Sequence, residues 1–152
     1  MELKLADFLA DLAPELPAAA LEGMLYRLTY TENRTEMTFH VRYDQVLDAE
    51  TMFAFETALE HRLSLSRVTL ACRYAPELFT LETSYSSLIS QLKRRMSVLN
   101  GFLDHAGVKR EADKLAISLV HGGREILEQA GFCRALSMLI QEQYGLQLLV
   151  EL

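Results

Sequence analysis

The stretch "MLYRLTYTENRTEMTFHVRY", Met24 to Tyr43, contains two runs of alternating apolar and polar residues separated by a polar segment. Alternation with period two is the pattern of a half-buried β-strand, so each run is predicted to form one strand. The residues predicted to share one face are Met24, Tyr26, Leu28 and Tyr30 in the first run and Met37, Phe39, Val41 and Tyr43 in the second. The polar segment "TENRTE" between them predicts a β-hairpin loop.

The residues around this hairpin extend it into a small α/β module. Before it, "LKLADFLADLA" places apolar residues at helical spacing and predicts a short amphipathic helix that ends near Pro14. After it, Asp48 is a predicted N-cap, followed by a helix with an apolar stripe and then by "RVTLACR", which alternates again. The predicted order is therefore helix, strand, strand, helix, strand.

The second half of the chain shows a related order. A long helix is predicted from apolar residues at three- and four-residue steps, and Gly107 is a predicted C′ cap after a kink or break at Asn100-Gly101. The run "KLAISLV" then predicts a strand, and Gly145 is predicted to end a second long helix before a last strand, "LQLLVE". The apolar positions used for these two helices are Leu81, Tyr85, Leu88, Leu92, Met96, Leu99 and Leu103, then Ile126, Ala130, Cys133, Leu136 and Ile140.

The break "YAPEL" contains Pro76, the last proline of the chain, and predicts a boundary near Tyr74 to Thr80. We therefore predict an α+β protein of two small tandem modules, each a small sheet covered by helices, at residues 1–75 and 80–152. The second module is predicted as helix, strand, helix, strand. A single two-layer domain is the alternative.

Composition limits the classes of protein that fit. Half of the 152 residues are apolar and 24% are charged, as in a folded domain, and no apolar run approaches the ~20 residues of a membrane-spanning helix. Cys72 and Cys133 have no metal-ligand spacing and are predicted to be buried thiols of a cytoplasmic protein. The net charge of −6 disfavours non-specific binding to nucleic acid.

Gly122 and Gly123 follow a predicted strand and precede a predicted helix, as the glycines of a phosphate-binding loop do. A nucleotide site of this kind also needs a following Lys-Ser/Thr or a third spaced glycine, and the chain has neither. Glu125 and Glu128 moreover bring negative charge to the start of the helix. The two glycines therefore predict a tight turn, and no cofactor is expected.

The segment "QLKRRM" places Lys93, Arg94 and Arg95 on the polar side of a predicted helix. A solvated surface is the ordinary interpretation; together with Arg124, these residues are the candidate contacts for nucleic acid or for an acidic partner. The four histidines and the scattered carboxylates show no spacing typical of a catalytic relay or a metal site. We therefore expect no catalytic and no metal-binding residues.

Read in order, these elements resemble the N-terminal region of the PolC-type DNA polymerase III of Gram-positive bacteria. The resemblance rests on the Phe39-His40-Val41 strand, on Arg67-Val68 at the start of the third strand, and on "ADKLAISL" and "LIQEQYGLQL" in the second half. It covers about residues 20–150 as a diffuse pattern. In this family, the first module is similar to the interaction domains of the initiator DnaA and of the clamp-loader tau subunit, and the second is KH-like.

The resemblance implies a non-catalytic region of a larger polymerase. The polymerase and 3′–5′ exonuclease residues would lie downstream of this region in that larger protein. It implies docking to a replisome protein such as the clamp-loader tau subunit. KH modules usually hold single strands with a Gly-x-x-Gly loop, and Gly122-Gly123 does not have this spacing. Weak binding of single-stranded nucleic acid by the KH-like module, through Lys93, Arg94, Arg95 and Arg124, is the alternative function.

Overall fold

A computed structural model describes residues 2–99 and 101–152 and has two compact units, one ending at Tyr74 and the next starting at Ala75. Each unit combines helices with one small mixed sheet, of four strands in the first unit and three in the second. The predicted α+β class with two small tandem modules is confirmed. The division lies between Tyr74 and Ala75, inside the predicted boundary of Tyr74 to Thr80 and one residue before Pro76.

The first unit contains more elements than its predicted five. A two-residue strand precedes the first helix and pairs with the hairpin, and a second short helix follows it. The predicted opening helix is only one turn long. The elements are β1 (Leu3–Lys4), α1 (Leu5–Phe8), a 3₁₀ turn (Ala13–Glu15), α2 (Ala18–Leu21), β2 (Met24–Tyr30), β3 (Glu36–Arg42), α3 (Ala49–Leu63) and β4 (Arg67–Arg73).

The sheet of the first unit has the strand order β1-β2-β3-β4. The predicted hairpin is confirmed as the antiparallel pair β2–β3, and α3 connects β3 to β4, which run parallel. Asp48 caps α3 as predicted, because its Oδ1 accepts a hydrogen bond of 2.7 Å from the backbone N–H of Thr51. Phe39, Phe55 and Leu70 are at most 1% exposed and form the centre of the core between α3 and the sheet.

A β-bulge changes the predicted faces of β2. The pairing with β3 shifts between Leu25 and Arg27, so that Leu25 is buried opposite Val41 and Leu28 lies opposite Phe39. Tyr26 was predicted to share a face with Leu28, but it lies on the other face. The prediction was wrong because one extra residue at a bulge reverses the alternation of a strand.

The free edge of β4 is covered by two carboxylates of α3. Glu56 Oε2 accepts a hydrogen bond of 2.7 Å from the N–H of Leu70, and Glu60 Oε2 accepts one of 2.9 Å from the N–H of Val68. Unpaired N–H groups of an edge strand would otherwise be open to pairing with another strand. This edge is therefore closed to strand addition at these two positions.

The second unit has one strand that sequence reasoning missed. Gly107 was predicted to be a C′ cap, but it begins an edge strand, and the predicted long helix already ends at Arg95. The second predicted helix is divided into two at Gly131. The elements are a 3₁₀ turn (Pro76–Leu78), α4 (Ser84–Arg95), a 3₁₀ turn (Ser97–Leu99), β5 (Gly107–Glu111), β6 (Lys114–Ser118), α5 (Arg124–Ala130), α6 (Phe132–Tyr144) and β7 (Leu149–Glu151).

The core of the second unit lies between its helices and the sheet of order β5-β6-β7, in which β5–β6 is antiparallel and β6–β7 parallel. Within it, Gln91 of α4 and Gln143 of α6 are both buried and exchange amide hydrogen bonds of 2.6 and 3.4 Å. The pair satisfies two buried polar groups and fixes the two helices against each other. The buried apolar side chains include Leu88, Leu92, Leu99, Leu115, Ile117, Leu127, Phe132, Leu136 and Ile140.

Candidate interaction surface

The predicted basic contacts lie at the end of α4 and at the start of α5. Lys93 is half-buried, with Nζ 3.8 Å from Asp104 Oδ1, whereas Arg94 and Arg95 are exposed. Arg124 donates from Nε to Glu128 Oε1 at 2.9 Å, one turn further along α5. Among the described residues, no hydrogen bond or ion pair joins Arg124 to Lys93 or Arg95. Lys93 and Arg124 are therefore partly neutralised by nearby carboxylates.

The two adjacent glycines make the predicted turn between β6 and α5. Gly122 and Gly123 have left-handed φ angles of 70° and 84°, which side chains other than glycine adopt at a cost. A Cβ at Gly123 would overlap the ring of Phe102, whereas one at Gly122 would meet open space. Close packing of an aromatic ring thus accounts for the second glycine without a bound phosphate.

Two histidines, His105 and His121, are brought together beside this turn. The rings of His105 and His121 have centroids 5.9 Å apart and an interplanar angle of 62°. Within residues 2–99 and 101–152, no three His, Cys, Asp or Glu side chains are grouped so that they could hold a metal ion. The histidine pair is therefore a ring contact between two loops.

The outer face of the first sheet carries a set of arginines that sequence reasoning did not single out. They are exposed and alternate with the residues that pack against α3, such as Val41, Val68 and Cys72. Glu36 is the one acidic residue within β2, β3 and β4. We call this surface the arginine face and define it by Arg27, Arg42, Arg67 and Arg73.

Strand pairing places these arginines. Arg42 and Arg73 are register partners on neighbouring strands, and Arg27 is the partner of His40 across the β2–β3 pair. Adjacent strands are separated by about 4.8 Å, so these three cations form one cluster. Arg67 lies six residues from Arg73 along β4, roughly 20 Å away at ~3.3 Å per residue.

His40 lies at the centre of the cluster and is half-buried. Its Nε2 is 3.4 Å from the Oγ1 of Thr29, and its ring centroid is 6.1 Å from that of Tyr26. Burial and then the positive charge of Arg27 lower the pKa of His40 from its ordinary value, which favours the neutral ring. The His40 ring therefore provides a hydrogen-bonding group at the centre of the cluster, and the arginines supply the positive charge.

Arg42 already makes two of the contacts that a ligand of this surface would make. Its Nη1 is 2.6 Å from Glu2 Oε1, and its guanidinium lies 5.2 Å from the centroid of the Tyr26 ring. Guanidinium groups pair with carboxylates through charge-assisted hydrogen bonds and also stack on aromatic rings. The face therefore accepts a carboxylate next to an aromatic ring.

A row of threonines continues the face towards the hairpin loop. Thr29, Thr38 and Thr69 are register partners across β2, β3 and β4. They line a cavity of about 330 Å³ together with Arg67, Tyr30 and other residues of this end of the sheet. Short hydroxyl side chains leave the backbone approachable and provide hydrogen-bond donors and acceptors at this surface.

The two thiols do not provide a nucleophile at neutral pH. Cys72 is buried as predicted, and burial raises its pKa to about 12. Cys133 is half-buried, so its predicted burial is only partial, and burial again raises its pKa. Thiolates are the reactive form of cysteine, so both residues are in the unreactive, protonated form.

No helix of the described residues combines the length and apolar character needed to cross a membrane. No family model, no curated protein and no solved structure matches this chain.

Proposed function

We propose that this chain is the non-catalytic N-terminal protein-interaction region of a bacterial replicative DNA polymerase of the PolC type. In this proposal, it acts in the cytoplasm and docks a replisome protein such as the clamp-loader tau subunit. The polymerase and exonuclease reactions belong to residues outside these two modules. The observation that supports docking is the set of four solvent-exposed arginines on one face of a sheet whose other face is packed against α3.

The architecture supports docking in a second way. Helix α3 and the first sheet enclose a tightly packed core around Phe39, and the carboxylates of Glu56 and Glu60 cover the edge of β4. The packed core and the covered edge stabilise the sheet from which the outer face is presented. Pre-organised surfaces lose less conformational entropy when they bind, which favours protein–protein recognition.

Isothermal titration calorimetry of purified tau subunit into the 152-residue chain tests the proposal. We expect saturable binding that weakens as salt is added, because charged side chains contribute to the contact. The absence of binding at ~100 mM salt would contradict docking to tau. A native reading frame without exonuclease and polymerase motifs beyond Leu152 would contradict assignment to the polymerase.

Binding of single-stranded nucleic acid is the second candidate function, favoured by the arginines and by Tyr26 on one sheet face. Base stacking on aromatic rings usually contributes ~1–3 kcal/mol per base. One side of the Tyr26 ring, however, is occupied by Arg42, and the exposed ring of Tyr30 has Arg34 at 5.5 Å from its centroid. Stacking would have to displace these guanidinium groups.

We predict weak binding of single-stranded DNA at physiological salt, little changed in the triple alanine variant of Lys93, Arg94 and Arg95. Consecutive residues fan across roughly 200° of a helix at about 100° per residue, so the three side chains do not follow one phosphate track. Three phosphate contacts would give a salt slope of only about −2. Fluorescence anisotropy with a labelled oligonucleotide measures this; sub-micromolar affinity lost in the variant would favour the nucleic-acid function.

A further inference from the structure

We propose that the arginine face of the first unit is a docking site for an acidic segment of a partner protein. This inference rests on the proposed docking function and adds the surface and the chemistry of the partner. Four observations carry it: the separation of charge within the first unit, the carboxylate already bound by Arg42, the covered aromatic rings, and the threonine-lined cavity.

Charge is separated within the first unit. Residues 1–76 contain 12 acidic and seven basic residues, a net charge of −5, yet four of those seven basic residues are arginines of one sheet face. The acidic residues lie mainly in the helices and loops. A local positive surface on an acidic protein selects a ligand whose negative charge is also local, because a long polyanion would meet the surrounding repulsion.

The anion that this face holds is a carboxylate. Glu2, just before β1, places Oε1 2.6 Å from the Nη1 of Arg42, and both side chains are about half exposed. This ion pair shows how the glutamate of a segment lying beside the sheet meets the arginine cluster. Planar guanidinium groups match carboxylates well, and strand pairing places Arg27 and Arg73 beside Arg42 on the same face.

The aromatic rings distinguish a polypeptide from a nucleic acid. Single-stranded nucleic acid is usually bound through stacking of its bases on open rings. Tyr26 is covered on one side by Arg42 and lies beside His40. Its ring therefore holds the guanidinium of Arg42 in place and is not open on that side for a base to stack. The face thus has the charge for an anion but lacks a free series of rings for bases.

The cavity at the other end of the face adds a contact for an uncharged side chain. It measures about 330 Å³ and is lined by Tyr30, Met37 and the oppositely charged register partners Glu36 and Arg67 along with the threonine row. It lies next to Arg67, roughly 20 Å from the cluster around Arg73, which corresponds to about six residues of extended chain. The partner segment is therefore acidic at one end and carries an apolar or small polar side chain about six residues away.

Fluorescence anisotropy tests the proposal with a labelled twelve-residue peptide that has Asp and Glu at one end and Leu six residues away. The variant R42E/R73E reverses two charges of the cluster, and R94E/R95E reverses two exposed charges of α4 as a matched control. We expect R42E/R73E to weaken peptide binding about tenfold or more and the control to change it less than about threefold. The neutral variant R42Q/R73Q should give an intermediate loss, and circular dichroism checks that each variant is folded.

Three outcomes would overturn the proposal: no binding of the peptide by the wild-type chain, equal losses in R42E/R73E and R94E/R95E, or tighter binding of a twelve-nucleotide thymidine oligomer through the same arginines. A parallel titration with the tau subunit separates this inference from the proposed function. Peptide binding that depends on Arg42 and Arg73, without any tau binding, would support the arginine face as a docking site and contradict tau as the partner. Tau binding that is equal in wild type and R42E/R73E would support the proposed docking function. It would overturn the assignment of docking to the arginine face.

Discussion

Replacing Phe39 with alanine is expected to lower the free energy of unfolding of the first unit by about 3–5 kcal/mol. Phe39 is 1% exposed, and its ring makes an edge-to-face contact with Phe55 at 5.8 Å and with Phe8 at 6.4 Å. Its removal therefore leaves a cavity between α3 and the sheet and ends two aromatic contacts. Aromatic pairs contribute beyond the area that they bury, which places this change among the largest in the molecule.

Amide hydrogen exchange followed by NMR measures this effect separately in the two units. Exchange in β2–β4 should become much faster, whereas amides of α4 and α6 should keep their protection because the second unit has a core of its own. Phe132→Ala is the matched variant, since Phe132 is 0% exposed in α6 and its loss should affect only the second unit. Equal loss of protection throughout the chain in either variant would contradict the division into two units.

Replacing Gly123 with alanine is expected to cost roughly 2–5 kcal/mol of stability in the second unit. The left-handed φ of 84° accounts for about 1–2 kcal/mol, and the overlap of the new Cβ with the ring of Phe102 accounts for about 1–3 kcal/mol. Gly122→Ala is the control because its φ of 70° is similar but its Cβ has free space. That variant should lose only the ~1–2 kcal/mol of backbone strain.

Urea unfolding followed by circular dichroism compares the two alanine variants. In the background of Phe102→Ala, the change Gly123→Ala should cost no more than Gly122→Ala does, because the obstructing ring is gone. Equal destabilisation by the two single variants would mean that Phe102 does not explain Gly123. It would also reopen the question of a ligand at this turn.

Elements whose pattern is set by their own residues could be predicted from the sequence. The hairpin, the Asp48 cap of α3 and the burial of Val68, Leu70 and Cys72 in β4 follow from local alternation and capping, and all are present. The strand β5 was missed because its sequence, "GVKRE", is polar at most positions. An edge strand buries little, so it lacks the alternation that identifies internal strands.

The arginine face could not be predicted because its members are far apart in the sequence. The polar position of Arg42 beside His40 and Thr38 was visible in one strand, but Arg27 and Arg73 join it only through strand pairing. The bulge near Tyr26 also shifts the register, and no pattern in the neighbouring residues predicts this shift. The three consecutive cations of α4 were predicted as contacts because they are adjacent in sequence. Adjacent residues of a helix, however, point in different directions.

We propose that this chain docks a replisome protein through the outer face of its first sheet. The most direct measurement is a titration of the ¹⁵N-labelled chain with unlabelled tau subunit, followed by two-dimensional NMR. We expect shift changes and signal loss to be concentrated at residues of β2, β3 and β4, including Arg27, Arg42 and Arg73, with little change at residues 93–95. Changes confined to the end of α4 and the start of α5, or no changes at all, would contradict it.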